Sequence, residues 1–112
     1  MSTPRELAMV EVTDKAYRER LRDCLRSPSG RVVLQVLAER ASSRQRKPAT
    51  AQVIADQGFV STTSARAQAY RAAKLGYARQ TKVRANGMPA MAWQITERGR
   101  DFLLELAQET QP

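Results

Sequence analysis

Apolar positions along this chain repeat at helical spacing as far as residue 75 and at strand spacing from 77 to 95. Tyr17, Leu21, Cys24 and Leu25 fall on one stripe. Thr13 followed by Asp14 has the chemistry of an N-cap and an acidic first turn, so a helix is predicted from there through Arg26. Ser27-Pro28-Ser29-Gly30 reads as its end. Ahead of it, Leu7, Met9, Val10 and Val12 show no clean period, and residues 1–12 are read as an arm, either helical or docked on a partner. Val33, Leu34, Leu37 and Ala41 predict a second helix over about 31–41. The polar, basic run from Ser42 to Pro48 reads as a loop.

Thr50 is placed to cap a short helix, Ala51 to Gln57, with Ala51, Val53 and Ile54 inside and Gly58 as the glycine that stops it. Phe59-Val60 forms an apolar linker. Ser61 or Thr62 starts a further helix that runs to Leu75 and ends at Gly76, with Ala65, Ala69, Ala72 and Leu75 on its inner face. Its outer face carries Thr63, Ser64, Arg66, Gln68, Tyr70, Arg71 and Lys74. Then the period becomes 2. Tyr77, Arg79, Thr81 and Val83 alternate with Ala78, Gln80, Lys82 and Arg84. Asn86-Gly87 is a tight-turn signal because both residues tolerate positive φ. Met91, Trp93 and Ile95 mark the return strand, and Pro89 either widens the loop or sits on an edge. Thr96 caps a last helix of about 97–108 bearing Phe102, Leu103 and Leu106. Trp93 and Phe102 lie on inner stripes and are assigned to the core.

The chain has 112 residues, room for about one domain. Apolar residues make up 42%, an ordinary globular share. No run approaches the roughly 18 apolar residues of a membrane span, and the first residues lack a signal peptide's basic-then-apolar order. A cytoplasmic protein, with no membrane association, is the expectation. The single cysteine, Cys24, excludes an internal disulfide, and its apolar neighbours mark it as a packed thiol. There is no histidine, which removes the commonest general acid-base group near neutral pH. One Cys without His makes no zinc site. No carboxylate pair can be placed in one cleft. Neither an enzyme nor a cofactor is expected.

Charge changes the picture more. The net charge is +8. Between Arg40 and Thr96 lie ten basic residues and one acid, Asp56, and the stretch from Gln57 to Thr96 contains no carboxylate. A solvated surface usually mixes signs, whereas a one-sign field attracts a polyanion. Two short helices separated by a turn, followed by a basic hairpin, have a mechanical reading. The second helix enters the major groove, about 12 Å wide, while the first braces it across the backbone and the hairpin reaches neighbouring phosphates or the minor groove.

Four segments carry a resemblance. They are Thr50-Ala51-Gln52-Val53-Ile54-Ala55, Ser61-Thr62-Thr63-Ser64-Ala65-Arg66, Lys74-Leu75-Gly76-Tyr77 and Trp93-Gln94-Ile95-Thr96-Glu97-Arg98-Gly99. In this order and spacing, over about residues 30–107, the chain resembles the winged helix-turn-helix superfamily, particularly small prokaryotic regulators of the MarR-like kind. The resemblance implies a mainly α fold with a small β-hairpin wing and additional N- and C-terminal helices. Residues 29–112 are then the winged domain with its C-terminal helix, while residues 1–28, which the resemblance does not explain, are read as an N-terminal arm and helix available for dimerisation.

Within that frame Thr62, Thr63 and Ser64, at a helix N-terminus, meet phosphate or base edges. Gln68 pairs with adenine, and Arg66 or Arg71 with guanine. Tyr70 stacks or bonds a phosphate, and Lys74 reaches phosphate. Arg79, Lys82 and Arg84 belong to the wing, with Arg84 beside Asn86-Gly87 entering the minor groove. Arg44, Arg46 and Lys47 add phosphate contacts from the loop. Homodimerisation is assigned to Tyr17, Leu21, Leu25, Leu103, Leu104 and Leu106, with half-sites about 10 bp apart. The expected function is sequence-specific binding of double-stranded DNA by a dimeric transcriptional regulator, with repression by occlusion and association with the nucleoid. Two alternatives stay open: a sequence-tolerant architectural or replication-accessory DNA binder, and a winged-helix interaction module for an acidic partner. No residue points to a small-molecule effector.

Overall fold

The computed structural model describes residues 4–44 and 46–109, with side chains from Asp14 onward. Its elements run α1 (Pro4–Arg26), α2 (Pro28–Ser42), β1 (Ala49–Thr50), α3 (Ala51–Gly58), α4 (Thr62–Lys74), β2 (Ala78–Ala85), β3 (Met88–Ile95) and α5 (Glu97–Glu109). The predicted order of helices and hairpin is present, with differences at four places.

First, α1 is one helix of 23 residues, about 34 Å long at 1.5 Å per residue. It passes through Thr13, so no cap starts a helix there, and the described part of the arm, from Pro4, is helical. Pro4 occupies the first helical position, where a missing N–H costs little. The following Arg5, Glu6, Leu7, Ala8 and Met9 are good or neutral helix formers, so nothing delays the start to Thr13.

Second, Ser27-Pro28 begins α2 as well as ending α1. Ser27 is extended (φ −64°, ψ 161°), its Oγ accepts from the Gly30 N–H at 3.3 Å, and Pro28 fills the first helical position. A Ser-Pro pair is an N-terminus signal as much as a stop, and here it acts as both.

Third, Gly58 is the last residue of α3, and the left-handed position falls on Phe59 (φ 56°). A Cβ on Gly58 would lie 2.5 Å from Val32 Cγ1. The glycine therefore serves a close approach of α3 to α2 rather than the turn itself.

Fourth, the hairpin gains a neighbour. β1 pairs with β3, Ala49 opposite Trp93 and Thr50 opposite Ala92, giving an antiparallel sheet of order β1-β3-β2. Two residues are too few to display a period of their own.

Elsewhere the local chemistry acts as predicted. Thr50 caps α3 by accepting from the Val53 N–H, and Ser61 caps α4 by accepting from the Ser64 N–H at 3.0 Å. β2 and β3 meet in register from Ala78 opposite Ile95 to Ala85 opposite Met88, leaving Asn86 (φ 53°) and Gly87 (φ 79°) as a two-residue turn. Pro89 stays in β3, opposite Arg84 and beyond the reach of β1. Thr96 accepts from the Gly99 N–H at 3.2 Å and donates to Gly76 O at 2.6 Å, starting α5 against the end of α4.

One core joins these elements. Leu25, Val33, Leu34, Leu37, Ile54, Leu75, Trp93 and Leu106 are fully buried, each large side chain removing apolar surface worth about 2 kcal/mol. Ala65, Ala69 and Ala72 are also fully buried, so α4 lies close against the core along the predicted stripe. Among the described residues no helix is long and apolar enough to cross a membrane.

Candidate nucleic-acid interface

Helix α4 turns its alanine stripe inward, and this decides what it offers outward. Thr63, Arg66, Tyr70 and Lys74 are exposed, spaced along the opposite side, with Thr62, Ser64 and Arg71 half-buried at its margins. α3 supports the start of α4, where the Thr62 hydroxyl donates to Gln52 Oε1 at 3.4 Å. The Ser61 cap satisfies the Ser64 N–H at 3.0 Å, and the positive end of the α4 dipole lies at this N-terminus, which favours an anion.

Gln68 does not belong to this outward set. It is 5% exposed, and its Nε2 donates to Cys24 O (3.1 Å), Ser27 Oγ (3.2 Å) and Ser29 Oγ (3.0 Å). The amide satisfies the joint between α1 and α2, where the Cys24 carbonyl ends one helix and the serines begin the next. Gln68 lies beside Ala65, Ala69 and Ala72 on the buried side, so it reads no base. Its Oε1 in turn accepts from Arg71 at 3.2 Å, holding that guanidinium at the edge of the outward face.

Two other α4 residues are partly engaged within the chain. Lys74 donates to the Tyr17 hydroxyl at 2.8 Å and lies 5.4 Å from that ring's centroid, a cation–π contact. Tyr70 is half-exposed and meets Trp93 edge-on, with centroids 5.2 Å apart and planes at 81°. Arg22 ties α1 to the turn between α4 and β2, donating to Tyr77 Oη at 3.1 Å. That bond and the pairing with Glu19 raise the Arg22 pKa, keeping the guanidinium charged.

Register divides the wing's cations between two faces. Opposed residues of an antiparallel pair share a face. Gln80, Lys82 and Arg84 therefore stand with Trp93, Met91 and Pro89, on the side that Tyr70 of α4 touches. Arg79 stands with Gln94 on the reverse side, so the three wing cations expected to act together are split, Arg79 apart from Lys82 and Arg84. Lys82, Arg84 and the turn residue Asn86 are exposed, and Arg84 reaches Gly87 O at 3.5 Å. Arg44, Arg46 and Lys47 are exposed in the loop after α2, and Gln94 Nε2 donates to Arg46 O at 2.8 Å. Arg46 and Arg79 thus adjoin Arg100 of α5, a residue that no sequence pattern singles out, around one cleft.

Three of the six residues assigned to assembly lie in the chain's own core: Leu21, Leu25 and Leu106 are 7%, 0% and 1% exposed. Their stripes meet α2 and the neighbouring helices, so these side chains are covered without a second subunit. Leu103 packs partly against the core, while Leu104 and Tyr17 stay exposed.

The chain matches no protein-family model and no curated protein. Among solved structures it is similar to the transcriptional regulator BldR from Sulfolobus solfataricus, at 18% identity and a TM-score of 0.53, over 96% of this chain and 78% of that one. It is also similar to a MarR family protein from Bacillus stearothermophilus, at 17% identity and a TM-score of 0.50, over 97% and 76%. At such identities the likeness establishes architecture, and the architecture is the winged helix-turn-helix that both solved proteins share with this chain.

Proposed function

We propose that the protein binds double-stranded DNA sequence-specifically and acts as a dimeric transcriptional regulator, a repressor by occlusion. The observation that carries this reading is the exposed row Thr63, Arg66, Tyr70 and Lys74 on α4, flanked by Lys82 and Arg84 on the adjoining wing face. No carboxylate falls between Gln57 and Thr96 to oppose a phosphate backbone. α4 enters the major groove. There Arg66 reads guanine, Thr62, Thr63 and Ser64 anchor the helix start on phosphate, and the wing tip at Arg84 and Asn86 lies in the adjacent minor groove. The two solved neighbours are described as a transcriptional regulator and a MarR family protein, in keeping with this reading.

Removing Gln68 from the reading face leaves few side chains able to discriminate bases. That favours a second reading, a sequence-tolerant binder dominated by phosphate contacts. Selection from a random duplex library, followed by affinities at about 0.15 M salt, separates the two. A palindrome bound on the order of a thousandfold tighter than random duplex supports the regulator. A ratio below about tenfold supports the second reading. No measurable duplex affinity refutes both.

A further inference from the structure

We propose that the reverse face of the wing carries a phosphate-binding cleft formed by Arg46, Arg79 and Arg100. The cleft measures about 720 Å³ and opens between the end of α2, the base of the hairpin and the first turn of α5. Its walls hold three guanidinium groups and one carboxylate, Glu97. Among the described residues the ion pairs involve Arg22 and Arg26, and none reaches these three arginines. Three guanidinium groups against one carboxylate leave the opening with a net positive field, which favours an anion.

The cleft is also held in shape. Arg46 has φ 46°, a left-handed backbone that non-glycine residues seldom adopt. The hydrogen bond from Gln94 Nε2 to Arg46 O fixes that loop to β3. Gln94 is the register partner of Arg79, so one side chain positions the loop arginine beside the strand arginine.

Phosphate fits this arrangement better than carboxylate. Planar guanidinium forks pair bidentately with either anion, so charge decides between them. A phosphate monoester carries about −1.5 to −2 at pH 7, matching the cleft's excess of positive charge, whereas a carboxylate supplies half of that. The phosphate comes from one of two sources, a free phosphorylated small molecule or a stretch of DNA backbone. In the second case it is not the backbone at the wing tip. Arg79 lies five residues from Arg84, about 17 Å along β2, and on the other face.

The test titrates the full chain with inorganic pyrophosphate at low salt, following backbone amide resonances of residues 46, 79 and 94. Binding should shift them, and the Arg79→Ala/Arg100→Ala double variant should weaken binding at least about tenfold. A Lys15→Ala/Arg20→Ala control, which removes the same charge from exposed positions on α1, should not. A second arm measures the salt dependence of binding to a long random duplex. A slope reduced by about 2 in the Arg79→Ala/Arg100→Ala variant assigns the phosphate to DNA, at about 0.9 per lost contact. An unchanged slope with retained pyrophosphate binding to the wild type assigns it to a free ester. Pyrophosphate that shifts none of these resonances, or that binds both double variants alike, overturns the proposal whatever the duplex does. The pyrophosphate arm involves no DNA, so its outcome is independent of the regulator reading.

Discussion

Gln68 and Arg66 sit two residues apart on one helix, and their environments give them opposite kinds of work. Gln68 donates to three oxygens at the α1–α2 joint from a buried position, while Arg66 stands exposed. Replacing Gln68 by Ala removes a buried side chain and its bonds to the α1–α2 joint, where Cys24 O keeps its bonds from Ser27, so the cost is about 1–2 kcal/mol. We predict a lower urea midpoint for Gln68→Ala, with base preference at a selected site unaltered. Arg66→Ala should behave inversely, keeping the urea midpoint while losing about 1–3 kcal/mol of affinity and relaxing preference at one base pair. If Gln68→Ala instead relaxed base preference at full stability, the residue would belong on the reading face after all. Spacing alone puts position 68 inside: at about 100° per residue it falls between Ala72 and Leu75 on the inner arc, and only its polar type argued for the outer face. What sequence could not show is its acceptors, which lie 39 to 44 residues away.

Local chemistry, by contrast, was legible wherever a single element decides the outcome. Thr50, Ser61 and Thr96 cap as their types suggest, and the Ala65–Ala69–Ala72 stripe is buried as its spacing requires. The division of the wing was also available. Arg79 differs in parity from Lys82 and Arg84, and period 2 puts odd and even positions on different faces. What remained hidden depends on partners elsewhere: β1 exists because β3 offers it hydrogen bonds, and Gly58 is a glycine because Val32 lies against it. The wing turn gives a test at this scale. Gly87 has φ 79°, and no atom other than its own and its two chain neighbours' lies within 4 Å of the point a Cβ would occupy, so the cost of substitution is backbone strain. Gly87→Val should destabilise the hairpin by about 1–2 kcal/mol, and Gly87→Asn by less, because Asn tolerates the left-handed region. Faster amide exchange in β2 and β3 for the Val variant alone is the expected signature. Equal exchange in both variants would mean that the turn does not set the register.

For the molecule as a whole, the question is how one short reading helix obtains enough affinity. α1 is about 34 Å long, and Asp14, Lys15, Ala16 and Tyr17 along it are exposed. α5 is tied to the end of α1, where Arg26 lies 3.7 Å from Glu109 and over the Phe102 ring at 5.8 Å. Both helices pack on α2 and meet each other at this end, and among their described large apolar side chains Tyr17 and Leu104, the latter 63% exposed, are uncovered, with Leu103 half-covered. A two-fold dimer built on these two helices doubles the DNA contacts and aligns two copies of α4 with a palindrome. Leu104 and Leu106 then separate assembly from folding. Leu106→Glu places a charge in the core and should unfold the chain at any concentration. Leu104→Glu meets solvent in the monomer, so it should keep the melting curve of an isolated subunit while sedimenting as a monomer at micromolar concentration. Because the second half-site is then bound only as an independent event, its affinity for a palindromic duplex should fall by about a hundredfold or more. A Leu104→Glu protein that still sediments as a dimer would remove this face of α5 from the interface and leave assembly to α1.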